Sequence, residues 1–183
     1  MNLAFNFKNQ LFWIHNFLPE SLYKELYLEI FKKRKEIDFK TTLVDWRTFK
    51  EEDNDMPKSF DQANELEHTF FKKYHTFLLH QKFVNLIDHS VKSHLRKYEY
   101  NQHTSWHCDD DDCRRYAATY YFNHRWGESW GGEFMFKSEE GSGFIPVVGN
   151  SLVIVKTGLR HRVNANLKKT HGRMSIQSWI NKE

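Results

Sequence analysis

The 183-residue sequence contains only two cysteines, Cys108 and Cys113, together with three prolines and eight glycines. Two cysteines are too few for a disulfide scaffold, so we interpret both as reduced thiols. With so little proline and glycine, and with 16% aromatic residues, the chain lacks the composition of a disordered protein. Its length suits one domain with a sizeable core and is short for two.

Long apolar runs and a strong net charge are also absent. Polar residues interrupt every apolar run near the N-terminus, in residues 1–8, so the sequence predicts neither a signal peptide nor a membrane-spanning helix. The net charge of +3 is too small to indicate a nucleic-acid partner, because the basic residues are spread along the chain apart from one cluster at residues 32–35. We therefore expect a cytoplasmic protein that binds neither membranes nor nucleic acid. The sequence does not predict its oligomeric state.

The first half of the chain shows helical periodicity. Apolar residues repeat at helical spacing from Pro19 to the basic cluster, and again from residue 60 to about residue 91, with a break near His80. Residues 41–46 are compatible with a strand, and residues 51–58 with an acidic, polar loop. We expect these helices to cover one face of a sheet.

After residue 92 the periodicity changes to short strands separated by turns. The candidate strands are residues 95–100, 105–108, 116–122, 133–136, 144–147, 151–155, 161–164 and 173–180. Eight short strands of this kind predict a mainly β fold, a jelly roll of two sheets with a mouth at one end. The predicted organisation is a single domain, with a helical support region in residues 1–92 and the β core in residues 93–183.

Three residues of the β region have the chemistry of metal ligands. His107 and Asp109 are two positions apart, so in an extended strand both side chains point to one face, and His161 follows a later strand-like run. Two histidines and one carboxylate leave about three metal positions open, which suits ferrous iron in oxygen chemistry. A His-x-Asp/Glu triplet is expected roughly once by chance among eleven histidines and 24 acidic residues, so its surroundings must support it.

Those surroundings resemble the iron(II)/2-oxoglutarate dioxygenases, and within them the prolyl 4-hydroxylase-like branch. The matching blocks are residues 106–109 (Trp-His-Cys-Asp), 120–123 (Tyr-Tyr-Phe-Asn), 130–134 (Trp-Gly-Gly-Glu-Phe), 146–150, 161–163 (His-Arg-Val) and 172–176 (Gly-Arg-Met-Ser-Ile). They stand in the family's order. The resemblance implies a double-stranded β-helix in which His107, Asp109 and His161 are the catalytic metal ligands of Fe(II), with 2-oxoglutarate and O2 as co-substrates and ascorbate as a reductant.

For the far carboxylate of 2-oxoglutarate the resemblance indicates Arg173, whose guanidinium can donate two parallel hydrogen bonds. Ser175 lies two residues on, on the same strand face, and can add a hydroxyl donor. Tyr121 matches the second tyrosine of the family's Tyr-Tyr-x-Asn block, and alternation turns only one tyrosine of that pair inward. Tyr98 and Tyr100 are further candidates for lining the cofactor pocket. Packing within the sheet is the alternative role of these tyrosines.

Two features depart from the family's usual pattern. Asn101 stands where the family often has a glycine before the His-x-Asp motif, and asparagine tolerates the left-handed backbone of such a turn. Residues 110–112 extend Asp109 into a run of four aspartates, which we expect to form a solvated loop, with attraction of a cationic substrate as the alternative. Asp110 is the nearest rival as a ligand, but it should point to the opposite face.

The resemblance implies hydroxylation of an unactivated C–H bond, with oxidative decarboxylation of 2-oxoglutarate to succinate and CO2. The retained carboxylate of Asp109 favours hydroxylation, since halogenating relatives lack it. The expected substrate is a prolyl residue in a peptide or protein, which residues 124–130 would hold near the mouth of the barrel. The alternatives are a free amino acid or other small metabolite, and a non-catalytic sensor or binding module for 2-oxoglutarate and metal.

Overall fold

The computed structural model describes residues 1–33, 40–43, 59–63, 68–109, 114–170 and 172–182. These residues form two α-helices, α1 (Glu20–Lys33) and α2 (His68–Leu79). They also form eleven β-strands, which in chain order are β1 (Asn2–Phe7), β2 (Leu11–His15), β3 (Lys40–Leu43), β4 (Ser59–Ala63), β5 (His89–Tyr98), β6 (Arg114–Tyr121), β7 (Phe134–Ser138), β8 (Gly141–Ile145), β9 (Ser151–Lys156), β10 (Arg160–Val163) and β11 (Arg173–Lys182).

The strands are arranged in two antiparallel sheets. The larger sheet has eight strands in the order β1-β2-β9-β6-β11-β5-β4-β3, and the smaller sheet has three in the order β10-β7-β8. Apolar side chains of both sheets meet in one cluster, which includes Val153 of the larger sheet and Phe134 of the smaller. The arrangement confirms the predicted double-stranded β-helix.

Strand alternation gives the larger sheet two different faces. On β9, Leu152 and Ile154 belong to the cluster that contains the helices, whereas Val153 belongs to the cluster between the sheets. Tyr120 and Tyr121 on β6 divide in the same way. This confirms the prediction that one tyrosine of the pair, Tyr121, reaches the barrel interior.

The two helices cover the outer face of the larger sheet, as predicted. Helix α1 begins directly after Pro19, whose fixed φ suits the start of a helix. The helical residues buried in the outer cluster are Tyr23, Leu26, Ile30, Tyr74 and Leu78. Each apolar side chain of this size stabilises the fold by about 1.5–3 kcal/mol on burial, so this layer is a large share of the core.

Asn150 connects the segment before α1 to the larger sheet. It is buried, with a φ of 56°, in the turn that precedes β9. Its Oδ1 accepts hydrogen bonds from the backbone N–H of Leu18 (2.9 Å) and from the hydroxyl of Tyr120 (3.1 Å), and its Nδ2 donates to the backbone carbonyl of Leu18 (2.9 Å). Asparagine suits this position because it tolerates the left-handed backbone while its amide serves three buried partners.

The first half of the chain contains more β-structure than we predicted. β1 and β2 form a hairpin that joins the larger sheet through β9, and β4 pairs with β5. The expectation that residues 1–92 are a helical support region is therefore wrong for these strands, and the second helix predicted after the break near His80 does not form. β2 buries apolar residues on both faces, so its sequence lacks the alternation that marks a half-buried strand. The assignment of the chain to a single domain stays a prediction.

In the second half, predicted strands 116–122, 151–155, 161–164 and 173–180 overlap β6, β9, β10 and β11. The strand predicted at residues 144–147 instead begins at Gly141, because β8 forms a hairpin with β7. Gly143 lies opposite Phe136 in this hairpin, and a Cβ at Gly143 would come within 2.9 Å of the Phe136 ring. A glycine-rich strand with little β propensity therefore forms here because its missing side chains make room for an aromatic ring.

Several predicted features lie outside the described residues: the loop at residues 51–58, positions 34 and 35 of the basic cluster, positions 44–46, the aspartates 110–112, and Cys113. The Cys108 thiol donates to the backbone carbonyl of Gly158 at 3.4 Å. Within the described ranges, no helix has both the length and the apolar character needed to cross a membrane.

Candidate active site

His107, Asp109 and His161 come together in a single cluster of potential metal ligands. Asp109 Oδ1 is 3.9 Å from His107 Nε2, and Asp109 Oδ2 is 3.5 Å from His161 Nε2. One ligand atom from each residue lies within 4.8 Å of the other two. Both histidines are buried, whereas the Asp109 side chain is 14% exposed. The predicted set of two histidines and one carboxylate is therefore assembled in the folded chain.

The backbone around His107 brings the two histidines side by side. His107 and His161 form an isolated antiparallel bridge, in which each backbone N–H donates to the carbonyl of the other at 2.9 Å. The predicted strand at residues 105–108 is wrong, since only this single bridge forms there. One bridge is enough to fix the ligands, because a directly paired residue places its side chain beside that of its partner. The two imidazole rings are 4.4 Å apart.

Both imidazoles are held in the orientation that a metal requires. His107 Nδ1 lies 2.7 Å from the Ser105 carbonyl, and His161 Nδ1 lies 2.9 Å from the Leu159 carbonyl. Since a carbonyl only accepts, each Nδ1 donates its proton and each Nε2 keeps a lone pair directed into the cluster. Phe134 stacks on the His161 ring at 5.0 Å, which restricts rotation of that ring.

The electrostatics of the cluster favour the protonation states that bind a cation. Burial, and then the neighbouring His161, lowers the pKa of His107 from 6.5 to about 4. Burial would raise the pKa of Asp109, but its contacts with His161, and then with His107 and Arg114, hold it well below its usual range. At neutral pH the cluster therefore presents a neutral His107 and an ionised Asp109.

Arg173 lies at the first residue of β11 with no solvent exposure. Its guanidinium carbon is 4.8 Å from the Tyr98 ring and 4.7 Å from the Tyr121 ring, and its Nη1 donates to the Ser175 hydroxyl at 3.5 Å. The structure thus brings together all four residues that we predicted to bind the cofactor. Their roles toward a ligand stay a prediction.

The donors around Arg173 are not all used within the described protein. Arg173 Nε, Arg173 Nη2 and the Tyr121 hydroxyl are buried and have no hydrogen-bond partner. Burial raises the pKa of Tyr121, so the hydroxyl stays protonated and can donate. Buried donors are normally satisfied, and three of them converging beside a guanidinium fit the carboxylate of a bound dicarboxylic acid.

Residues 93–181 match the 2OG-Fe(II) oxygenase superfamily. The matched stretch includes the complete metal cluster and Arg173. This region of the chain belongs to that superfamily. The ligand set and the unused donors of the oxygenase fit Fe(II) and 2-oxoglutarate, respectively.

Solved structures share the fold of the oxygenase. A prolyl-4-hydroxylase of Pseudomonas putida is 19% identical with a TM-score of 0.70, and the alignment covers 94% of this chain and 93% of that one. A prolyl hydroxylase of Trichoplax adhaerens, solved with a peptide fragment of hypoxia inducible factor, is 17% identical with a TM-score of 0.74 and coverage of 95% and 84%. The epimerase SnoN from nogalamycin biosynthesis is 9% identical with a TM-score of 0.69 and coverage of 94% and 78%. No curated protein matches the sequence.

A glycine of the oxygenase shapes the Arg173 pocket. Gly132 has a φ of 78°, and a Cβ there would come within 2.7 Å of Arg173 Cδ. The Trp-Gly-Gly-Glu block thus contains a glycine because the backbone passes directly against the arginine, a role that the sequence alone did not reveal. Asn101 has a φ of 65°, as predicted for the turn before the His-x-Asp motif.

One sequence-based expectation about the pocket is wrong. Tyr100 is 45% exposed and lies under Lys169 rather than in the pocket. The substrate-holding role of the loop at residues 124–130 stays a prediction, and Trp126 of this loop lies beside Gly132. In this loop, Trp126 Nε1 donates to the Gly131 carbonyl at 2.8 Å, beside the glycine that contacts Arg173.

One contact to the metal cluster was missed. Arg114, the first residue of β6, donates from Nη1 to Asp109 Oδ1 at 3.4 Å. Its guanidinium carbon also lies 5.1 Å from the Trp179 ring of β11. No sequence signal marks this arginine, because its position depends on how β6 pairs with β11.

Proposed function

We propose that this oxygenase hydroxylates an unactivated C–H bond of a prolyl residue in a peptide or protein, with oxidative decarboxylation of 2-oxoglutarate to succinate and CO2. The observation that supports hydroxylation is the complete ligand set, with Asp109 in place between two histidines. With Fe(II), 2-oxoglutarate and O2 bound, such a site supplies the oxidising chemistry for oxygen insertion into a C–H bond. Ascorbate as a reductant and a cytoplasmic location remain predictions.

The protein's own residues bind and orient the reactants. The two Nε2 atoms and the Asp109 carboxylate form one face of ligands, which leaves the other face for co-substrates. Arg173, between Tyr98 and Tyr121, would bind the far carboxylate of 2-oxoglutarate and so fix its other end toward the histidines. The buried setting strengthens this charge pair and excludes water from it.

A groove beside the metal cluster supports an extended substrate. It has a volume of about 820 Å³ and is lined by the β1–β2, β7–β8 and β9–β10 turns. Leu159, in its wall, is also the residue whose carbonyl orients His161. Two similar folds belong to prolyl hydroxylases, and one of those was solved with a peptide. A prolyl peptide in this groove would lie against Leu159, two residues from His161.

A free amino acid or other small metabolite is the second candidate substrate. The observation that favours it is the likeness to the epimerase SnoN, which covers 94% of this chain at a TM-score of 0.69. A second structure of SnoN contains Fe3+, alpha ketoglutarate and nogalamycin RO. The same barrel therefore accommodates a small molecule in a related protein.

Succinate formation under defined conditions tests the proposal. The Fe(II)-loaded protein is incubated with 2-oxoglutarate and ascorbate, with proline peptides, with the same peptides carrying alanine for proline, or with free amino acids. We expect slow succinate release that accelerates with a proline peptide and leaves that peptide heavier by one oxygen in mass spectrometry. Acceleration by a free amino acid alone would support the second candidate. Absence of succinate despite bound iron would leave only the sensor or binding role.

A further inference from the structure

The smaller sheet has an outer face that points away from the metal cluster. Phe136 of β7 lies in the cluster between the sheets, directly opposite His161 of β10. Because side chains alternate along a strand, the residues on either side of these two point outward. The outward-pointing side chains are Met135, Lys137, Ser142, Phe144, Arg160 and Arg162. Both helices pack on the larger sheet, and Phe144 is 61% exposed, so this face is a surface of the protein.

The outer face of the smaller sheet combines positive charge with apolar surface. Strands β7, β8 and β10 contain three cations, Lys137, Arg160 and Arg162, and no aspartate or glutamate. Acidic residues flank β7 outside the strand, at positions 133, 139 and 140. Phe144 lies directly opposite Met135, which gives the face an apolar part beside its cations.

The Trp106 ring lies against two of these cations. Lys137 Nζ is 4.3 Å from the centre of the Trp106 ring, and the guanidinium carbon of Arg162 is 5.0 Å from it. Both distances are in the range of a cation–π interaction. Arg162 Nε is also buried without a hydrogen-bond partner among the described residues. An aromatic ring positions a cation without neutralising its charge, so both side chains can still attract an anion.

The pairing of β7 with β10 sets the spacing of these two cations. Lys137 lies opposite Arg160, and Met135 lies opposite Arg162, so Lys137 and Arg162 are diagonal neighbours. Diagonal neighbours of an antiparallel pair are about 7–8 Å apart. Side chains on one face of an extended peptide recur every second residue, which is about 6.6–6.8 Å. Carboxylates at alternate positions of an extended peptide therefore match the spacing of Lys137 and Arg162.

We propose that the outer face of the smaller sheet binds an acidic polypeptide segment in an extended conformation. Its carboxylates pair with Lys137 and Arg162, and its apolar side chains contact Phe144 and Met135. The planar guanidinium of Arg162 matches the geometry of a carboxylate. A polypeptide is favoured over a nucleic acid because the cations already contact the Trp106 ring, on which a base would have to stack.

This interaction goes beyond the proposed hydroxylation and does not depend on it. His161 points into the barrel, whereas its neighbours on β10 point outward, so the binding face and the metal cluster are on opposite sides of the strand. A segment bound to the outer face therefore does not contact the metal or 2-oxoglutarate. Its affinity should be the same whether or not the metal cluster is loaded.

Fluorescence anisotropy with two short labelled peptides tests the proposal. One peptide alternates glutamate with leucine or serine, and the other has glutamine in place of every glutamate. Each is titrated with the full chain, both metal-free and loaded with Zn(II) and 2-oxoglutarate. We expect the acidic peptide to bind about 4- to 25-fold more tightly, since two exposed ion pairs contribute about 2- to 5-fold each. The preference should shrink as salt is added, because salt screens exposed charges.

Variants assign the preference to named residues. Arg162→Gln and Lys137→Gln should each weaken binding of the acidic peptide about 2- to 5-fold, and Arg162→Lys should retain part of the affinity. Lys72→Gln is the matched control, because Lys72 is an exposed lysine on α2, the helix that packs on the larger sheet. Circular dichroism confirms that each variant is folded.

Three outcomes would overturn the proposal. The first is equal binding of the acidic and neutral peptides, or unchanged binding in both Arg162→Gln and Lys137→Gln. The second is loss of binding when Zn(II) and 2-oxoglutarate are added, which would place the peptide at the metal cluster. The third is tighter binding of single-stranded oligothymidylate than of the acidic peptide at the same salt concentration, which would make the face a nucleic-acid site. None of these measurements requires turnover, so failure of the proposed hydroxylation would leave this proposal standing.

Discussion

The substitution Gly132→Ala tests how the oxygenase holds its co-substrate. Gly132 has a φ of 78°, and an added methyl group would lie 2.7 Å from Arg173 Cδ. Arg173 is fully buried between two tyrosine rings, so it has little room to withdraw. The variant therefore disturbs the arginine without removing its charge.

Two separate costs can be estimated for this variant. A non-glycine residue in the left-handed region costs about 1–2 kcal/mol of folding free energy. Displacement of Arg173 also loses at least one charged hydrogen bond to the 2-oxoglutarate carboxylate, worth about 1.5–3 kcal/mol. We therefore expect the Kd for 2-oxoglutarate to rise about 10- to 100-fold.

Calorimetric titration of 2-oxoglutarate into the metal-loaded protein measures this effect. Gly141→Ala is the matched control, because Gly141 has a φ of 143° but an added Cβ would meet only Phe7, at an ordinary 3.8 Å. Both variants should lose stability in urea unfolding, and only Gly132→Ala should lose co-substrate affinity. Wild-type affinity in a folded Gly132→Ala protein would refute our account of how Arg173 is positioned.

Three other predictions concern the metal cluster and the fold. Asp109→Ala should abolish Fe(II) binding and turnover while the protein stays folded; retained activity would remove Asp109 as a ligand. The metal-free protein should lose up to about 3 kcal/mol of stability between pH 6.5 and pH 4, since the unfolded state protonates His107 before the folded state does. Urea unfolding across that range measures how the free energy of unfolding changes with pH. His107→Gln should make this free energy less dependent on pH. Asn150→Ala should lower the free energy of unfolding by about 3 kcal/mol, because three buried hydrogen bonds are lost. Asn9 has the same φ of 56° but is exposed, so Asn9→Ala should lower it by about 1 kcal/mol in the same assay.

The sequence was most informative where one residue type has one chemical use. His107, Asp109 and His161 could be assigned because metal ligands need those groups, and the spacing of Arg173 and Ser175 already placed them on one face. β6 and β9 could be predicted because each is a short run of apolar, β-branched or aromatic residues that is buried on both faces. Local patterns were sufficient for these features.

Features that depend on strand pairing could not be predicted. The contact of Gly132 with Arg173 joins a loop to the start of β11, and nothing in either segment indicates the other. Arg96 and Arg114 meet Trp179 only because β5 and β6 both pair with β11. The β1–β2 hairpin was missed for a different reason, since exposed apolar residues on β1 and two buried faces on β2 hide the period of two.

Arg173 and Trp179 lie on the same strand, so the interior of the barrel is sensitive to slippage of that strand. β11 pairs with β5 through all ten of its residues, from Arg173 opposite Tyr98 to Lys182 opposite His89. A shift by one residue would turn Arg173 and Trp179 toward the helices at the same time and bring Met174 into the barrel. The Asn123 side chain, which accepts from the Met174 N–H at 3.0 Å, holds the start of β11 against such a shift. A misregistered chain would therefore fold into an inert barrel rather than into an oxygenase with altered specificity.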